Sequence, residues 1–260
     1  MDFKYIRLDI EQGIATLTMD RSQENNLNFA MLEEMVQAIE ICANSPQVRV
    51  VVLTGANEVF SYGYDLEIVN MAREMPPVEA AEMIAEQGCA RLMKKLMTMP
   101  KPVIACVNGA CHGAGGEIAM ACDYILASNK ASFGQLYINI GLIGNCYLLP
   151  RLVGPRKALE LIWTGKIISA EEAYQLGIVN SVVVAGLLVE STYKLARSFA
   201  LGPTLAMGMA KKAIYQSAHM DMDKGLKLVN QLQTELMKTQ DHLEGVAAYF
   251  EKRPPVFSGE

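Results

Sequence analysis

A twenty-residue block at positions 103–122 most constrains what this 260-residue chain can fold into. Its only clearly polar side chains are Asn108, His112 and Glu117, and its length is close to that of a membrane-spanning helix. An Asn-Gly turn signal at position 108 and three glycines between His112 and Glu117 would break such a helix midway. The block therefore predicts a buried strand, a turn and a buried helix that begins at Ile118, with no membrane span.

Composition and charge exclude several classes of protein. Hydrophobic residues make up 51% of the chain, too many for a disordered protein. The 28 acidic residues outnumber the 23 basic ones, so the basic surface that nucleic acids require is missing. Six cysteines without a CxxC pair indicate free thiols and argue against a metal centre. Since the N-terminus also lacks the pattern of a signal peptide, we expect a cytoplasmic protein with no nucleic-acid, membrane or metal partner.

Short apolar runs alternate with helical patterns along the first two thirds of the chain. Strands are predicted at 5–9, 14–19, 48–54, 103–107, 124–127 and 182–184. Helices are predicted at 28–44, 66–73, 78–99, 187–200, 203–217 and 222–250, and Ser169 with Glu172 forms a capping box. Buried strands between helices indicate an α/β fold whose sheet is covered on both faces. The apolar stripe on the last predicted helix faces either the core or a neighbouring subunit.

The glycine-rich turn at 108–117 is the first candidate for chemistry. A turn that leads into a helix exposes backbone N–H groups and can hold an anion. A dinucleotide-binding fingerprint is excluded. The position of its third glycine is occupied by Ile118, and the position of its acidic residue is occupied by Tyr137. Glu117 is the one carboxylate of the apolar block, and burial of a carboxylate favours acid/base chemistry. The alternative for Glu117 is that it only satisfies N–H groups in the first turn of a helix. A lone histidine beside glycines, such as His112, is more often a packed or solvent-facing turn residue than a base.

A second glycine-containing turn, at 60–65, also joins a predicted strand to a predicted helix. Two such turns from one sheet can direct two N–H groups at a single oxygen, as in an oxyanion hole. Taken alone, Tyr62 and Tyr64 are equally well explained as partly buried surface residues, and Asp65 as a helix N-cap.

Five stretches together resemble the enoyl-CoA hydratase/isomerase (crotonase) family: 25–28, 48–66, 100–123, 149–180 and 249–257. The resemblance implies an α/β spiral of ββα units at 1–200 that carries an acyl-CoA site. It also implies a helical region at 201–260 that forms homotrimers, often paired into hexamers. The expected substrate is an acyl-CoA or acyl-carrier thioester, and no cofactor is implied beyond the coenzyme A of the substrate.

The resemblance also implies roles for individual residues. The backbone N–H groups of Tyr64 and Ala114 map onto the oxyanion hole, where alanine replaces the usual glycine, and Glu117 maps onto a catalytic glutamate. Asn26, Asp65 and Leu66 fall near the CoA nucleotide, while Tyr249 and Lys252 fall where a neighbouring subunit contacts CoA.

Several positions depart from the family pattern. The second glutamate of hydratases maps onto Tyr137, and a phenol is a poor base at neutral pH. Tyr62 and Tyr64 replace small residues, the loop at 141–150 is about three residues shorter than usual, and Glu67 replaces a polar or basic residue. The acyl pocket is therefore expected to be reshaped, and an acyl group on a carrier-protein arm is an alternative to one on CoA.

One carboxylate is enough to move a proton between two carbons of one substrate. We therefore expect an enzyme of the hydratase/isomerase type, with Glu117 and Tyr137 as its catalytic residues. The alternative is a decarboxylase or C–C hydrolase of a β-carbonyl thioester, in which Tyr137, Tyr62 or Asn145 lies near the departing carboxylate. A third alternative is an acyl-CoA-binding protein without activity.

Overall fold

A computed structural model describes residues 2–259, which form two sheets surrounded by helices. The strands are β1 (Ile6–Glu11), β2 (Ile14–Met19), β3 (Val50–Gly55), β4 (Val103–Val107), β5 (Ala110–His112), β6 (Tyr124–Ser128), β7 (Ser132–Gly134), β8 (Ile167–Ser169) and β9 (Ser181–Val183). The helices are α1 (Phe29–Asn44), α2 (Leu66–Arg73), α3 (Pro77–Gln87), α4 (Cys89–Thr98), α5 (Ala114–Met120), α6 (Leu149–Val153), α7 (Pro155–Thr164), α8 (Ala170–Gln175), α9 (Leu188–Ala200), α10 (Thr204–Ser217), α11 (Met222–Leu236) and α12 (Gln240–Glu251). Short 3-10 helices lie at Leu136–Ile140 and Ala185–Leu187.

The larger sheet has the order β1-β2-β3-β4-β6-β9, antiparallel between β1 and β2 and parallel elsewhere. Every residue of β4 is buried, because helices cover both faces of the sheet. One core cluster packs α1, α4 and α5 against the sheet, and a second packs α9 against the opposite face. The predicted α/β class with a sheet covered on both faces is thus confirmed.

The chain builds the second, smaller sheet by repeating one pattern. After each of β3, β4 and β6 in the large sheet, the next few residues cross to the smaller sheet, at 61–64, in β5 and in β7. Ser61 bridges to Cys111 in parallel, Leu27 bridges to Tyr64, and β5 pairs with β7, which pairs with β8. Each crossing then leads into a helix, namely α2, α5 or the 3-10 helix at Leu136–Ile140. This repetition is the predicted spiral of ββα units.

Several predicted boundaries differ from the observed ones. Helix α5 begins at Ala114, four positions before the predicted Ile118, because Gly113 has a φ of +50° that turns the chain directly from β5 into the helix. The predicted helix at 78–99 is interrupted at Gly88, and the one at 222–250 divides into α11 and α12, where Thr239 caps the second helix. Strands β5, β7 and β8 were not predicted, since each is only three residues long and a run of that length carries little periodicity.

Side chains cap the starts of two helices that the sequence predicts, α1 and α8. Asn28 accepts the N–H of Met31 at 2.9 Å and begins α1, and the predicted capping box of Ser169 and Glu172 is formed. Among the helices of residues 2–259, none combines the length and apolar character needed to cross a bilayer.

Helix α10 is joined to the core by an ion pair whose lysine is buried. Lys211 Nζ donates to Asp123 Oδ2 at 2.7 Å and to the Leu96 carbonyl oxygen at 2.6 Å, and only 7% of the Lys211 side chain is exposed. Gly208 lies against the backbone of Pro100, where a Cβ atom would be only 2.2 Å from the carbonyl oxygen. On α11 and α12 the predicted apolar stripe is only partly covered, since Leu232 is buried while Leu226 and Leu243 are more than half exposed.

The close approach of Gly208 to Pro100 predicts that alanine substitutions at two helical glycines have opposite effects on stability. Gly208→Ala is expected to lower the free energy of unfolding by about 1–3 kcal/mol, because the new methyl group displaces α10 from Pro100. Gly225→Ala on α11 meets only ordinary contacts and is expected to raise it by up to about 1 kcal/mol through helix propensity. Urea unfolding of both variants measures the difference, and equal stabilities would contradict the assigned packing of α10.

Candidate active site

The repeating spiral brings three chain segments to one place. The segment at 61–64 is bonded to β5 through two main-chain hydrogen bonds, from Ser61 N–H to Ala110 O at 3.0 Å and from His112 N–H to Ser61 O at 2.9 Å. On the other side of β5, Gly113 N–H donates to Gly134 O at 2.8 Å. The residues that follow these three strands therefore lie side by side, and they include Tyr64, Ala114, Glu117 and Tyr137.

Two main-chain N–H groups point into this region without a protein acceptor. Within residues 2–259, neither Tyr64 N–H nor Ala114 N–H donates a hydrogen bond. They are close together because Gly63, with a φ of +99°, packs against the turn before α5, where its Cβ position is 3.0 Å from Ala114 N. Any side chain at Gly63 would collide with this second turn. The arrangement is suited to holding one oxygen that carries negative charge.

Glu117 lies one helical turn after Ala114, so both residues share one face of α5. Its carboxylate is mostly buried and accepts the main-chain N–H of Asn145, with 2.5 Å between N and Oε1. Burial raises the pKa of Glu117 above its usual value, while the Asn145 N–H and the Tyr137 hydroxyl oppose that shift. The site therefore contains a carboxylate that is a stronger base than an exposed glutamate.

Asn145 positions this carboxylate through its backbone. The residue has a φ of +51°, and its side chain is 5% exposed. The amide oxygen accepts Leu149 N–H at 3.2 Å at the start of α6, and the amide nitrogen lies 3.0 Å from Met120 Sδ. Both ends of the side chain are thus engaged in the protein, and the main-chain N–H is the part of Asn145 that reaches the site. A direct substrate contact by its side chain stays a prediction.

Tyr137 occupies the third position, in the 3-10 helix after β7. A Cβ atom added at Gly144 would lie only 2.1 Å from Cε2 of the Tyr137 ring. The absence of a side chain at Gly144 therefore makes room for the ring. Burial raises the pKa of the phenol well above its usual value, and the charge of Glu117 raises it further. The hydroxyl is therefore neutral across the physiological range, and it can donate a hydrogen bond but cannot act as a base.

A cleft of about 790 Å³ opens in front of these groups. Its walls are mainly aliphatic and aromatic, and they are formed by Tyr62, Tyr64, Leu66, Ile68, Val69, Asn70, Ala72, Arg73, Ile84, Gly113, Ala114, Leu136, Tyr137, Ile140, Leu142 and Ile143. Such a cleft fits an apolar group that reaches a few polar atoms at its end. Within residues 2–259 no cluster of three or more metal-ligating side chains is present.

His112 lies beneath the wall of the cleft. Its ring is 5.2 Å from that of Tyr62 in an edge-to-face arrangement, and its Nε2 is 3.0 Å from Ser132 Oγ. The side chain is 4% exposed, and burial lowers its pKa. His112 therefore corresponds to the packed residue considered as the alternative to a base, and Tyr62 rests on it with 45% of its surface exposed at the cleft.

The residues expected near the CoA nucleotide meet around one arginine. Arg21 pairs with Asp65 at 2.7 Å and donates to the Asn26 carbonyl oxygen at 2.8 Å, while Asp65 caps α2 through the N–H of Glu67. Leu66 lines the cleft and is 64% exposed. These residues are therefore brought together beside the cleft.

Tyr249 and Lys252 lie at the end of α12 and do not line the cleft of their own chain. Tyr249 is 80% exposed. The structure thus leaves both residues free to meet another molecule, and their role stays a prediction.

One contact of the site was not predicted from the sequence. The phenol oxygen of Tyr64 accepts the main-chain N–H of Cys89 at 2.6 Å, at the first residue of α4. The Cys89 thiol in turn donates to the Ala114 carbonyl oxygen at 3.6 Å. The available signal was Gly88, a glycine in the middle of an otherwise helical pattern, which marks where the helix is interrupted.

The chain is similar to known proteins over nearly its whole length. A family model described as enoyl-CoA hydratase/isomerase matches residues 9–260. The chain belongs to this family. It is 34% identical over 264 residues to the trans-2-decenoyl-(acyl-carrier-protein) isomerase of Streptococcus mutans, with 100% of each chain covered. It is also 33% identical to the 1,2-epoxyphenylacetyl-CoA isomerase of Escherichia coli, with 99% of each covered.

A solved structure supports the same family. The 1.8 Å crystal structure of enoyl-CoA hydratase from Bacillus anthracis matches with a TM-score of 0.90 and 33% identity, covering 99% of this chain and 100% of that one. The family membership and the crotonase-type α/β fold predicted from the sequence are both confirmed.

The buried carboxylate of this enoyl-CoA hydratase/isomerase family member predicts a pH-dependent effect on stability. Because the pKa of Glu117 is raised in the folded state, its ionisation destabilises the fold as pH rises through that pKa. Glu117→Gln removes the ionisation. The melting temperature of this variant, relative to that of the wild type, should therefore rise between pH 4 and pH 8. Glu82→Gln, which changes an exposed glutamate, should show no such trend. A difference that stays constant with pH would contradict the assigned burial of Glu117.

Proposed function

We propose that this protein shifts a carbon–carbon double bond within an acyl thioester, carried by CoA or by an acyl-carrier protein. The observation that carries the proposal is that one buried carboxylate, Glu117, lies on the helix that begins at Ala114 and beside Tyr137, and that both of these residues line the cleft. The position of a second carboxylate is taken by Tyr137, a neutral phenol. The name of one relative, the trans-2-decenoyl-(acyl-carrier-protein) isomerase, supports the same reading.

In the proposed reaction, the thioester carbonyl oxygen accepts hydrogen bonds from Tyr64 N–H and Ala114 N–H. Removal of a proton from the acyl chain places negative charge on this oxygen, and donors fixed in advance stabilise it as an enolate. Glu117 takes the proton from one carbon and returns it to another, so no net acid or base is consumed. The Tyr137 hydroxyl donates to the Glu117 carboxylate and orients it.

Hydration fits this site less well. Adding water to an enoyl thioester requires a base that activates the water and an acid that protonates the other carbon. Glu117 can fill one of these roles, but the pKa of Tyr137 is raised too far for its phenolate to fill the other.

Binding of the carrier is proposed to follow the family pattern. Asn26, Asp65 and Leu66 would hold the nucleotide of CoA largely through backbone groups, since the Asp65 side chain is engaged by Arg21. We propose that α11 and α12 form the contacts of a homotrimer or hexamer, which the exposed apolar side chains of these helices support. Tyr249 and Lys252 would then contact CoA bound to the neighbouring subunit. The chemistry requires no cofactor beyond the CoA of the substrate.

The proposal predicts label uptake that depends on Glu117. Purified protein is incubated in deuterated water with 2-enoyl, 3-enoyl, dienoyl and malonyl-type CoA thioesters, and products are read by mass spectrometry. We expect a shifted double bond, with deuterium in the product because the proton held by Glu117 exchanges with solvent in some turnovers before it is returned, and at least a ~100-fold loss of rate in Glu117→Gln. Below the raised pKa of Glu117 the rate should fall as its carboxylate is protonated. Release of carbon dioxide that persists in Glu117→Gln would instead identify a decarboxylase.

The role of Tyr137 is tested by supplying the missing carboxylate. Tyr137→Glu should raise the ratio of hydrated to isomerised product by about tenfold or more, because a second base can then activate water. Tyr137→Phe serves as the matched control and should retain isomerisation without gaining hydration. Equal product ratios in the two variants would show that the residue at this position does not select the reaction.

A further inference from the structure

We propose that the side chain of Tyr64 closes the acyl end of the cleft and limits the length of the acyl group. This inference rests on the proposed function only in assuming that an acyl thioester occupies the cleft. It concerns the ring of Tyr64, which is separate from the main-chain N–H that the same residue contributes to the site.

The ring is held at its outer end by the start of α4. The Cys89 N–H belongs to the first turn of that helix and has no intrahelical acceptor, so it is free to bind the phenol oxygen at 2.6 Å. A Cβ atom at Gly88 would lie 2.8 Å from the same oxygen. The break between α3 and α4 thus binds the phenol. A ring fixed in this way cannot rotate out of the path of a longer ligand.

The ring also separates the cleft from the thiol of Cys89. Tyr64 lines the cleft, whereas Cys89 does not and is 1% exposed. Cys89 Sγ is hydrogen-bonded to the carbonyl oxygen of Ala114, and Ala114 itself lines the cleft. Removing the ring would therefore open a passage from the cleft to Cys89.

The closed end is the acyl end of the cleft. Tyr64 and Tyr137 both line it, and Tyr137 lies beside Glu117, which acts on acyl carbons in the proposed reaction. Leu66 and Arg73 also line the cleft and are exposed to solvent. An acyl chain that enters past these exposed residues and reaches Glu117 would then end against the Tyr64 ring.

Thiol labelling tests the closure without any assumption about activity. In a Cys146→Ser background, which removes the one exposed cysteine, proteins are treated with N-ethylmaleimide and the labelled peptides are identified by mass spectrometry. We expect Cys89 to react at least tenfold faster in Tyr64→Ala than in the wild type or in Tyr64→Phe, which keeps the ring. The buried Cys42, Cys106, Cys111 and Cys122 report unfolding, and if they also react, Tyr64→Leu replaces Tyr64→Ala.

The second measurement is the preferred acyl length. For each methylene beyond the wild-type limit, kcat/KM of Tyr64→Ala relative to wild type should rise by about fourfold, in line with the burial of one methylene. A long-chain acyl-CoA should also slow the labelling of Cys89 in Tyr64→Ala by at least fivefold, while free CoA should not.

Three outcomes separate the hypotheses. Cys89 that stays unreactive in Tyr64→Ala, or that reacts equally in Tyr64→Phe, overturns the closure by the ring. Labelling as expected with an unchanged length profile overturns the role in acyl length. If the wild type turns over no thioester, the proposed function fails, yet protection of Cys89 by a long-chain acyl-CoA would still establish the closed acyl end.

Discussion

The parallel pairing between the segment at 61–64 and β5 is the interaction on which the site depends. Its hydrogen bonds join main-chain atoms of Ser61 to those of Ala110 and His112, so they fix the register of the two segments whatever side chains they carry. That register sets Gly63 against the turn before Ala114 and leaves two N–H groups unpaired on the same side. Because the donors are main-chain atoms, an alanine and a tyrosine can occupy positions where the family usually has smaller residues.

The second requirement is one carboxylate that is buried yet still able to ionise. Burial alone would favour the neutral form of Glu117, and the Asn145 N–H and Tyr137 hydroxyl offset part of that cost without adding a charge. Since burial still dominates, the carboxylate holds a proton more strongly than an exposed glutamate does. This property suits a group that must accept a proton from carbon and then release it. The same property makes Glu117 a cost to the stability of the fold.

The fold was predictable from the sequence where the signal is local and long. The predicted bounds of strand β4 and helix α2 are the observed ones. Hydrophobic composition and spacing determine these elements through residues that are close together in the chain. Glu117 and the two glycine turns could be singled out as well, since polar residues and glycines are conspicuous in an apolar block. Family resemblance then assigned Tyr64 and Ala114 their expected roles.

Long-range contacts lay beyond such reasoning. The main-chain bond of Asn145 to Glu117 joins residues 28 positions apart, and the bond between Tyr64 and Cys89 joins residues 25 apart. Neither depends on the type of side chain at the donor, so no residue pattern records them. The sequence does show glycines that make room for side chains of the site. Gly88 lies beside the Tyr64 phenol, and Gly144 lies beside the Tyr137 ring.

Two parts of Tyr64 are held by different elements of the fold. Its N–H is oriented by the pairing with Leu27, while its ring is oriented by the start of α4. Helix α4 also presents the Cys89 thiol to the carbonyl of Ala114, so the same helix end contacts both Tyr64 and Ala114. A displacement of α4 would therefore move the Tyr64 ring and the turn at Ala114 together. In the proposed function, the main-chain donors of the spiral would supply the chemistry, and the helix packed behind them would set which acyl group the cleft accepts.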